Sequence, residues 1–281
     1  MKLRELKDIF NDALKNIYSR EESQIILKYI LIDALGLPKL TIISQPELEL
    51  NKKQYEKVSA LLKDLKKGIP VQHLLGVAHF YGIMLKINPD VLIPRQETEE
   101  LVDWIIKDNP GAKLKILDAC TGSGCIALAL KKHLPESDIT GIDISEKALH
   151  IAKKNARELN LDINFKKANA LYLEEELKDE CFDIIISNPP YIPLSDKDMV
   201  QKNVFMYEPH LALFVPDETP LMFYESIAGY AKKSKPVTVY FEIYEDFDEN
   251  LKDLMSNMVF KDITIKTDLN KKKRMLRCQY F

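Results

Sequence analysis

No apolar run in this chain is long enough to cross a bilayer. The opening residues, Met1-Lys2-Leu3-Arg4-Glu5-Leu6-Lys7-Asp8, carry charges of both signs and no signal-peptide core. Basic residues are not in excess: 40 Lys and Arg stand against 43 Asp and Glu, for a net charge of −3. That balance argues against general attraction to a nucleic-acid backbone. Cysteine is scarce. Cys120, Cys125, Cys181 and Cys278 form no Cys-x-x-Cys pair and have no histidine at metal-ligand spacing. They are expected to be reduced and mostly buried, in a cytoplasmic protein. The five histidines are scattered and read as structural. Repeats and low-complexity segments are missing as well. What remains is ordinary globular composition, 46% hydrophobic and 30% charged over 281 residues, which sets one or two domains as the expectation.

The first part of the chain reads as helices. Leu3, Leu6, Phe10, Ala13, Leu14 and Ile17 recur at helical spacing. Ser19-Arg20-Glu21-Glu22 is a capping-box pattern for a second helix, expected to end at Gly36. Tyr55, Val58, Leu61, Leu62 and Leu65 mark another, ending near Gly68. Residues 1–68 are therefore expected to form a small helical domain that holds a partner, or a packing extension of the main domain. Residues 69–93 read as a connector with a β-hairpin, in which Phe80–Ile87 is a strand paired with Val91–Ile93 or with the residues just before it. From Leu114 the pattern alternates: strand Leu114–Asp118, helix Ile126–Lys132, strand Asp138–Asp143, then a helix capped by Ser145 and running to about Leu159. This alternation predicts an α/β domain over 94–281, with a parallel sheet and helices on both faces. A helix near 219–232, a strand at Val237–Ile243, a helix near 246–257 and a closing strand pair, Phe260–Thr267 with Met275–Phe281, complete the reading.

Gly122 and Gly124 fall between the first strand of that alternation and its helix. Glycine there permits positive φ and close approach of backbone to ligand. The helix N-terminus beyond the turn stabilises a carboxylate. Asp143 follows about 20 residues later at the end of the next strand, where an acid hydrogen-bonds ribose hydroxyls. Together they point to a nucleoside-bearing cofactor. A dinucleotide remains open on spacing alone, because Ala127 is tolerated at the third position of the Gly-x-Gly-x-x-Gly pattern. The bland alternative is a tight turn plus an aspartate that caps the next helix.

Asn188-Pro189-Pro190-Tyr191 follows the apolar run Phe182–Ser187, which reads as a fully buried strand. Two prolines cannot continue that strand. The stiff loop that results is rich in acceptors: the Asn188 side-chain oxygen and the neighbouring carbonyls. It suits a planar NH2 group, which has two donors to satisfy once water is excluded. Tyr191 adds an aromatic face. An amide or aromatic amine held this way is a nucleophile for a methyl donor. The alternative is a strand-ending loop with no chemistry.

Three segments carry a family resemblance. The tetrapeptide resembles the Asn/Asp-Pro-Pro-Tyr/Phe signature of S-adenosylmethionine-dependent methyltransferases that modify planar NH2 groups. Ile93-Pro94-Arg95-Gln96-Glu97-Thr98-Glu99 resembles the Pro-Arg-Pro-Asp-Thr-Glu segment of the HemK/PrmC family of protein glutamine N5-methyltransferases. Asp118-Ala119-Cys120-Thr121-Gly122-Ser123-Gly124 followed by Cys125-Ile126-Ala127 is similar to that family's Asp-x-Gly-Thr-Gly-x-Gly-x-Ile-Ala motif. The likeness runs from about Gly68 to the C-terminus.

The resemblance implies a Rossmann-like class I methyltransferase domain, with a mostly parallel seven-stranded sheet and a terminal antiparallel pair, behind a small N-terminal helical domain. It implies methyl transfer from S-adenosylmethionine, leaving S-adenosylhomocysteine, to the glutamine of the Gly-Gly-Gln motif in class I peptide chain release factors. Asp118, Thr121, Gly122 and Gly124 would surround the methionine part of the donor, Asp143 the ribose, and Asn169 the adenine. Asn188, Pro189 and Tyr191 would be catalytic. Asn188, Pro189, Pro190, Tyr191, Arg95 and Glu97 would bind substrate. No metal, membrane or direct nucleic-acid contact is expected, and a monomer is the expected state. The chain departs from the family at Asn169, where an acid is usual, at Ala170, where some members carry a large aromatic, and at Glu242-Ile243-Tyr244, where Glu-x-Gly is usual. Methylation of a ribosomal protein, methylation of adenine N6 in nucleic acid, and an inactive binding module are the competing readings.

Overall fold

Apolar residues at helical spacing build the first of two units. The computed structural model describes residues 1–281. It divides into Met1–Val77 with Gln201–Tyr207, and Ala78–Val200 with Glu208–Phe281. In the first unit, α1 (Leu3–Leu14) buries Leu3, Leu6, Phe10 and Leu14. Then α2 (Arg20–Tyr29) opens on the capping box read in the sequence: Ser19 Oγ accepts from Glu22 N at 3.1 Å and Glu22 accepts from Ser19 N at 2.8 Å. It runs into a π-helical turn, Ile30–Ala34, and the chain reverses at Gly36, φ +68°. Next come α3 (Lys39–Ser44), α4 (Lys52–Leu65) and α5 (Val71–Leu75). Leu27, Ile30, Leu31, Val58 and Leu65 join the α1 residues in one apolar cluster. The segment Gln201–Tyr207 is tied to this unit by the Tyr207 hydroxyl, which donates to the Lys67 carbonyl at 3.2 Å.

The connector differs from its sequence reading. Phe80–Ile87 is not one strand, and Val91–Ile93 is not its partner. The hairpin is β1 (Val77–Phe80) with β2 (Ile83–Lys86). Tyr81 and Gly82 turn between them at φ +41° and +73°. Positive φ at both central residues matches the twist of a two-residue hairpin, and the apolar residues around the turn hid it from pattern reading.

In the second unit the chain runs α6 (Gln96–Asp108), β3 (Lys115–Ala119), α7 (Cys125–His133), β4 (Asp138–Asp143), α8 (Glu146–Leu159), β5 (Asn164–Lys167), α9 (Leu173–Glu176) and β6 (Ile184–Ser187). It continues through β7 (Ile192–Pro193), passes through α10 (Lys202–Tyr207), which belongs to the first unit, and resumes with β8 (Phe214–Val215), α11 (Met222–Ala231), β9 (Val237–Glu242), α12 (Asp248–Asn257), β10 (Lys261–Thr267) and β11 (Lys273–Tyr280). The seven-stranded sheet has the order β10-β11-β9-β6-β3-β4-β5. Its four pairings from β9 to β5 are parallel and β11 is antiparallel to both neighbours. This is the mostly parallel sheet with a terminal antiparallel pair that the resemblance implied. The short β7–β8 pair and β5 carried no clear signal in the sequence.

Strand alternation sorts the core onto two faces. Ile116, Ile184, Ile186 and Tyr240 face one cluster with residues of α6, α7 and α8. Leu117, Ala119, Ile185, Val239 and Phe241 face the other with α11 and α12. In β6, Ile184, Ile185 and Ile186 are all buried, so both faces are covered, as an inner parallel strand requires. Burying each such side chain stabilises the fold by roughly 1.5–3 kcal/mol. The cysteines are less hidden than expected. Only Cys278 is buried, Cys120 and Cys125 are half-buried, and Cys181 is exposed.

Candidate active site

The strand order reverses at β3: β4 and β5 lie on one side, β6 and β9 on the other. Ligands of open α/β sheets bind outside the carboxyl ends of the strands at such a switch point. Register brings those ends level. Ala119 is opposite Ile142 and Ser187, and Ser187 is opposite Phe241. The next residues on these strands, Cys120, Asp143, Asn188 and Glu242, therefore share one edge.

The glycine turn is held from both sides. Thr121 N–H donates to the Ile142 carbonyl at 2.8 Å and Gly124 N–H donates to the Thr121 carbonyl at 2.8 Å. Gly124 has φ +82°, and a Cβ there would meet Phe165 at 3.1 Å and Ala152 and Leu128 at 3.2 Å. Both conformation and space demand glycine. Below the turn, Asp118 is fully buried. One carboxylate oxygen accepts from Thr121 Oγ1 at 2.6 Å and Ala127 N–H at 3.2 Å, and the other has no partner. Burial pushes its pKa up to about 7, against the pull of those two donors. An orphan buried carboxylate oxygen fits a cationic partner. Asp143 accepts from Gly122 N–H at 2.9 Å and Ser145 N–H at 2.8 Å. Burial raises its pKa, and the backbone donors of Ser145, Gly122 and Ile144 oppose the rise.

A cavity of about 200 Å3 opens here, lined by Gly122, Asp143, Asn169, Asn188 and Pro190 among the residues singled out from sequence. Asp118, Thr121 and Gly124 are not among its lining residues. The sequence reading missed Leu92, Cys120, Ile144, Leu211 and Phe223 in the lining. Phe223 supplies an aromatic side chain in a pocket where Ala170, also in the lining, has none. Asn169 carries a constraint not visible in the sequence: its Oδ1 accepts from Leu171 N–H at 3.0 Å, so one lone pair is already engaged.

The Asn188 loop is braced by its neighbours. Ser187 Oγ donates to the Ala119 carbonyl at 2.7 Å. Asn188 Nδ2 donates to Thr98 Oγ1 at 3.3 Å, and Thr98 Oγ1 donates to Glu242 Oε2 at 2.6 Å. The Tyr191 hydroxyl donates to Glu242 Oε1 at 3.2 Å, while its ring stacks on Tyr244 at 6.0 Å and 27°. Burial raises the Tyr191 pKa and the Glu242 charge adds to the rise, so its hydroxyl stays protonated. Burial also raises the pKa of Glu242, opposed by the Thr98 and Tyr191 donors. Pro189 and Tyr191 do not line the cavity, nor do Arg95 and Glu97. Arg95 Nη2 bonds Glu208 Oε1 at 2.5 Å, and Glu208 Oε2 accepts from Ile93 N–H at 3.0 Å. Glu97 is half-buried, and its charge is felt by Glu242. Thr98 and Glu242 were within motifs already quoted. No local signal marked them as partners of Asn188.

Comparison with known proteins agrees with this geometry. A family described as "Methyltransferase domain" matches residues 110–273, and one described as "PrmC N-terminal domain" matches residues 6–76. The chain is similar to the release factor glutamine methyltransferase of Flavobacterium psychrophilum, with 40% identity over 100% of both chains. It is 38% identical to the protein of the same name from Bacteroides thetaiotaomicron, over 94% of this chain and 95% of that one. A methyltransferase from Pyrococcus furiosus shares the fold, with a TM-score of 0.53 and 15% identity over 80% of this chain and 98% of that one. No helix is long and apolar enough to cross a membrane. With the sheet order, the glycine turn and the Asn-Pro-Pro-Tyr loop in place, the chain belongs to the release factor glutamine methyltransferase family.

Proposed function

We propose that this chain transfers a methyl group from S-adenosylmethionine to the side-chain amide nitrogen of the glutamine in the Gly-Gly-Gln motif of class I peptide chain release factors. The observation that carries this reading is the shared cavity: Asn188 and Pro190 line the same space as Gly122 and Asp143. Family membership supplies the substrate class. The protein acts as a cytoplasmic monomer without contacting nucleic acid directly, and the helices of residues 1–68 hold the protein substrate.

The residues fit the donor. The orphan oxygen of Asp118 suits the donor's ammonium group. Asp143 keeps lone pairs for ribose hydroxyls, and Asn169, Ala170 and Phe223 are available to the adenine. When bound, S-adenosylmethionine supplies an electrophilic methyl group on a sulfonium. The chain's own work is positional. Asn188 Oδ1 and the Pro189 carbonyl accept the two N–H bonds of the glutamine amide, which turns the nitrogen lone pair toward the methyl group. The N–C bond forms as the S–C bond breaks. The positive charge passes from sulfur to nitrogen, and the N-methylated amide then sheds a proton without a dedicated base. In-line positioning of this kind can lower a barrier by several kcal/mol, up to roughly 7–11. Arg95 and Glu97 approach the substrate from the start of α6.

The test is mass spectrometry of unmethylated release factor after incubation with this protein and S-adenosylmethionine. One added methyl on the Gly-Gly-Gln glutamine is the expected result. An unmodified factor in a sample where the donor demonstrably binds would overturn the assignment.

A further inference from the structure

We infer that Thr98 and Glu242 are positioning residues that fix which way round the Asn188 amide sits, and so make the site select an amide over a carboxylate. The inference rests on the proposed acceptor and adds the device that recognises it.

The two ends of an asparagine amide are nearly the same shape, and a half-turn exchanges a donor for an acceptor. Something must choose between them. A threonine hydroxyl has one proton. In Thr98 that proton is given to Glu242 Oε2 at 2.6 Å. Toward Asn188, Thr98 therefore presents only lone pairs, and Asn188 answers with Nδ2 at 3.3 Å. Oδ1 is the atom left for a ligand, in a residue that lines the cavity. Thr98 and Glu242 are both buried, 2% and 1% exposed, so water does not compete for these bonds.

Glu242 is itself pinned. Its second oxygen accepts from the Tyr191 hydroxyl at 3.2 Å, and its backbone carbonyl accepts from the Tyr224 hydroxyl at 3.1 Å. Both Glu242 oxygens thus take a hydroxyl proton, one from Thr98 and one from Tyr191, so the direction of the chain is set at its far end. The Thr98 hydroxyl cannot turn round and donate to Asn188 without leaving a buried carboxylate oxygen bare, which is costly.

An acceptor aimed at the substrate matches an NH2 group. It meets a carboxylate oxygen with lone pair against lone pair. A reversed Asn188 would present NH2, bind a carboxylate, and hold a glutamine by its carbonyl with the nitrogen turned away from the methyl donor. Glutamine and glutamate are close in shape, so the discrimination falls to the carboxylate's charge and to this orientation, which turns lone pairs toward it.

The experiment compares wild type, Thr98→Val and Thr98→Ser, using unmethylated release factor as substrate and the same factor with Gly-Gly-Glu as inhibitor. Wild-type turnover is the control for the acceptor assignment. If wild type does not methylate the factor, the proposed function fails before the relay is reached. Given wild-type activity, Thr98→Val is expected to lower kcat by about tenfold, as the loss of one orienting hydrogen bond predicts. Donor binding should be unchanged, and inhibition by the Gly-Gly-Glu factor should tighten. Thr98→Ser should restore both kcat and the discrimination. If Thr98→Val no longer binds donor, Thr98→Ala removes the same hydroxyl with less crowding beside the carboxylate. A hydroxyl-free variant that binds donor and keeps wild-type discrimination between the two factors overturns the relay. So does a Thr98→Ser variant that behaves like Thr98→Val.

Discussion

Ser187 donates its hydroxyl to the Ala119 carbonyl at 2.7 Å, tying the end of β6 to the end of β3. The bond joins the last residue before the Asn188 loop to the last residue before the glycine turn. Both residues are buried, and the carbonyl belongs to the strand that carries Asp118. It fixes the spacing between the loop that takes the acceptor and the turn that takes the donor. Ser187→Ala should cost about 1 kcal/mol of stability, read by chemical denaturation. It should also reduce kcat more than it weakens donor binding, because the two loops lose their common brace.

Asn188→Ala removes the acceptor that orients the amide. Turnover should fall by about 10²–10³, the range seen when one preorganised polar contact to a reacting group is deleted. Donor affinity measured by calorimetry should stay within a few-fold. A variant that still turns over at the wild-type rate would remove Asn188 from the mechanism.

Asp118 links donor binding to pH. Burial raises its folded pKa to about 7, above the ordinary value of about 3.9. The folded chain therefore holds this proton more tightly than the unfolded chain. Its contribution to stability is fully present below the unfolded value and is lost as pH rises to about 7. The donor's ammonium favours the ionised carboxylate. Binding below about pH 7 should release a proton, and affinity should rise with pH and level off above it. Calorimetry in two buffers of different ionisation enthalpy counts that proton. Asp118→Asn should abolish the pH dependence and weaken binding throughout.

Cys120 sits at φ +63°, a left-handed conformation that side chains adopt at a cost. The family motif has glycine at this place. Cys120→Gly should gain about 1 kcal/mol from relief of strain, less what the freer unfolded chain takes back. Thermal unfolding measures the balance. Burial raises the thiol pKa, so Cys120 is a neutral thiol and should react slowly with thiol reagents next to the exposed Cys181.

Arg95 and Glu208 form a pair with a buried carboxylate and a guanidinium one-third exposed. Arg95→Ala leaves Glu208 with the Ile93 N–H alone. The cost should be about 2 kcal/mol, below the 3–5 of a fully buried pair because water reaches the guanidinium. Denaturant titration of Arg95→Ala and of the double variant with Glu208→Gln separates the pair from its parts. The double variant should recover part of the loss.

Much of the site was legible because it is written in local chemistry. Gly124 is demanded by its own φ and by the side chains that crowd it. Pro189 and Pro190 end β6 whatever lies beside it. Ser145 caps α8 through the Ala148 N–H three residues on. The hairpin turn at Tyr81-Gly82 escaped because apolar residues on both sides blur the break between two short strands into one. Asn169 lines the cavity, but its bond to Leu171 depends on how the loop folds back after β5.

The sequence by itself determined where the strands stop, where the backbone must be glycine or proline, and the family to which these motifs belong. Each of those follows from steric and hydrogen-bonding limits within a few residues. Only the tertiary structure decided how Asn188 is oriented. Thr98 lies 90 residues from Asn188 and 144 from Glu242 along the chain. They meet because β9 pairs with β6 in a register that sets Phe241 opposite Ser187, and because α6 begins over the same strand ends. Strand order places these side chains together, and strand order is settled by burial of the whole sheet rather than by any spacing along the chain.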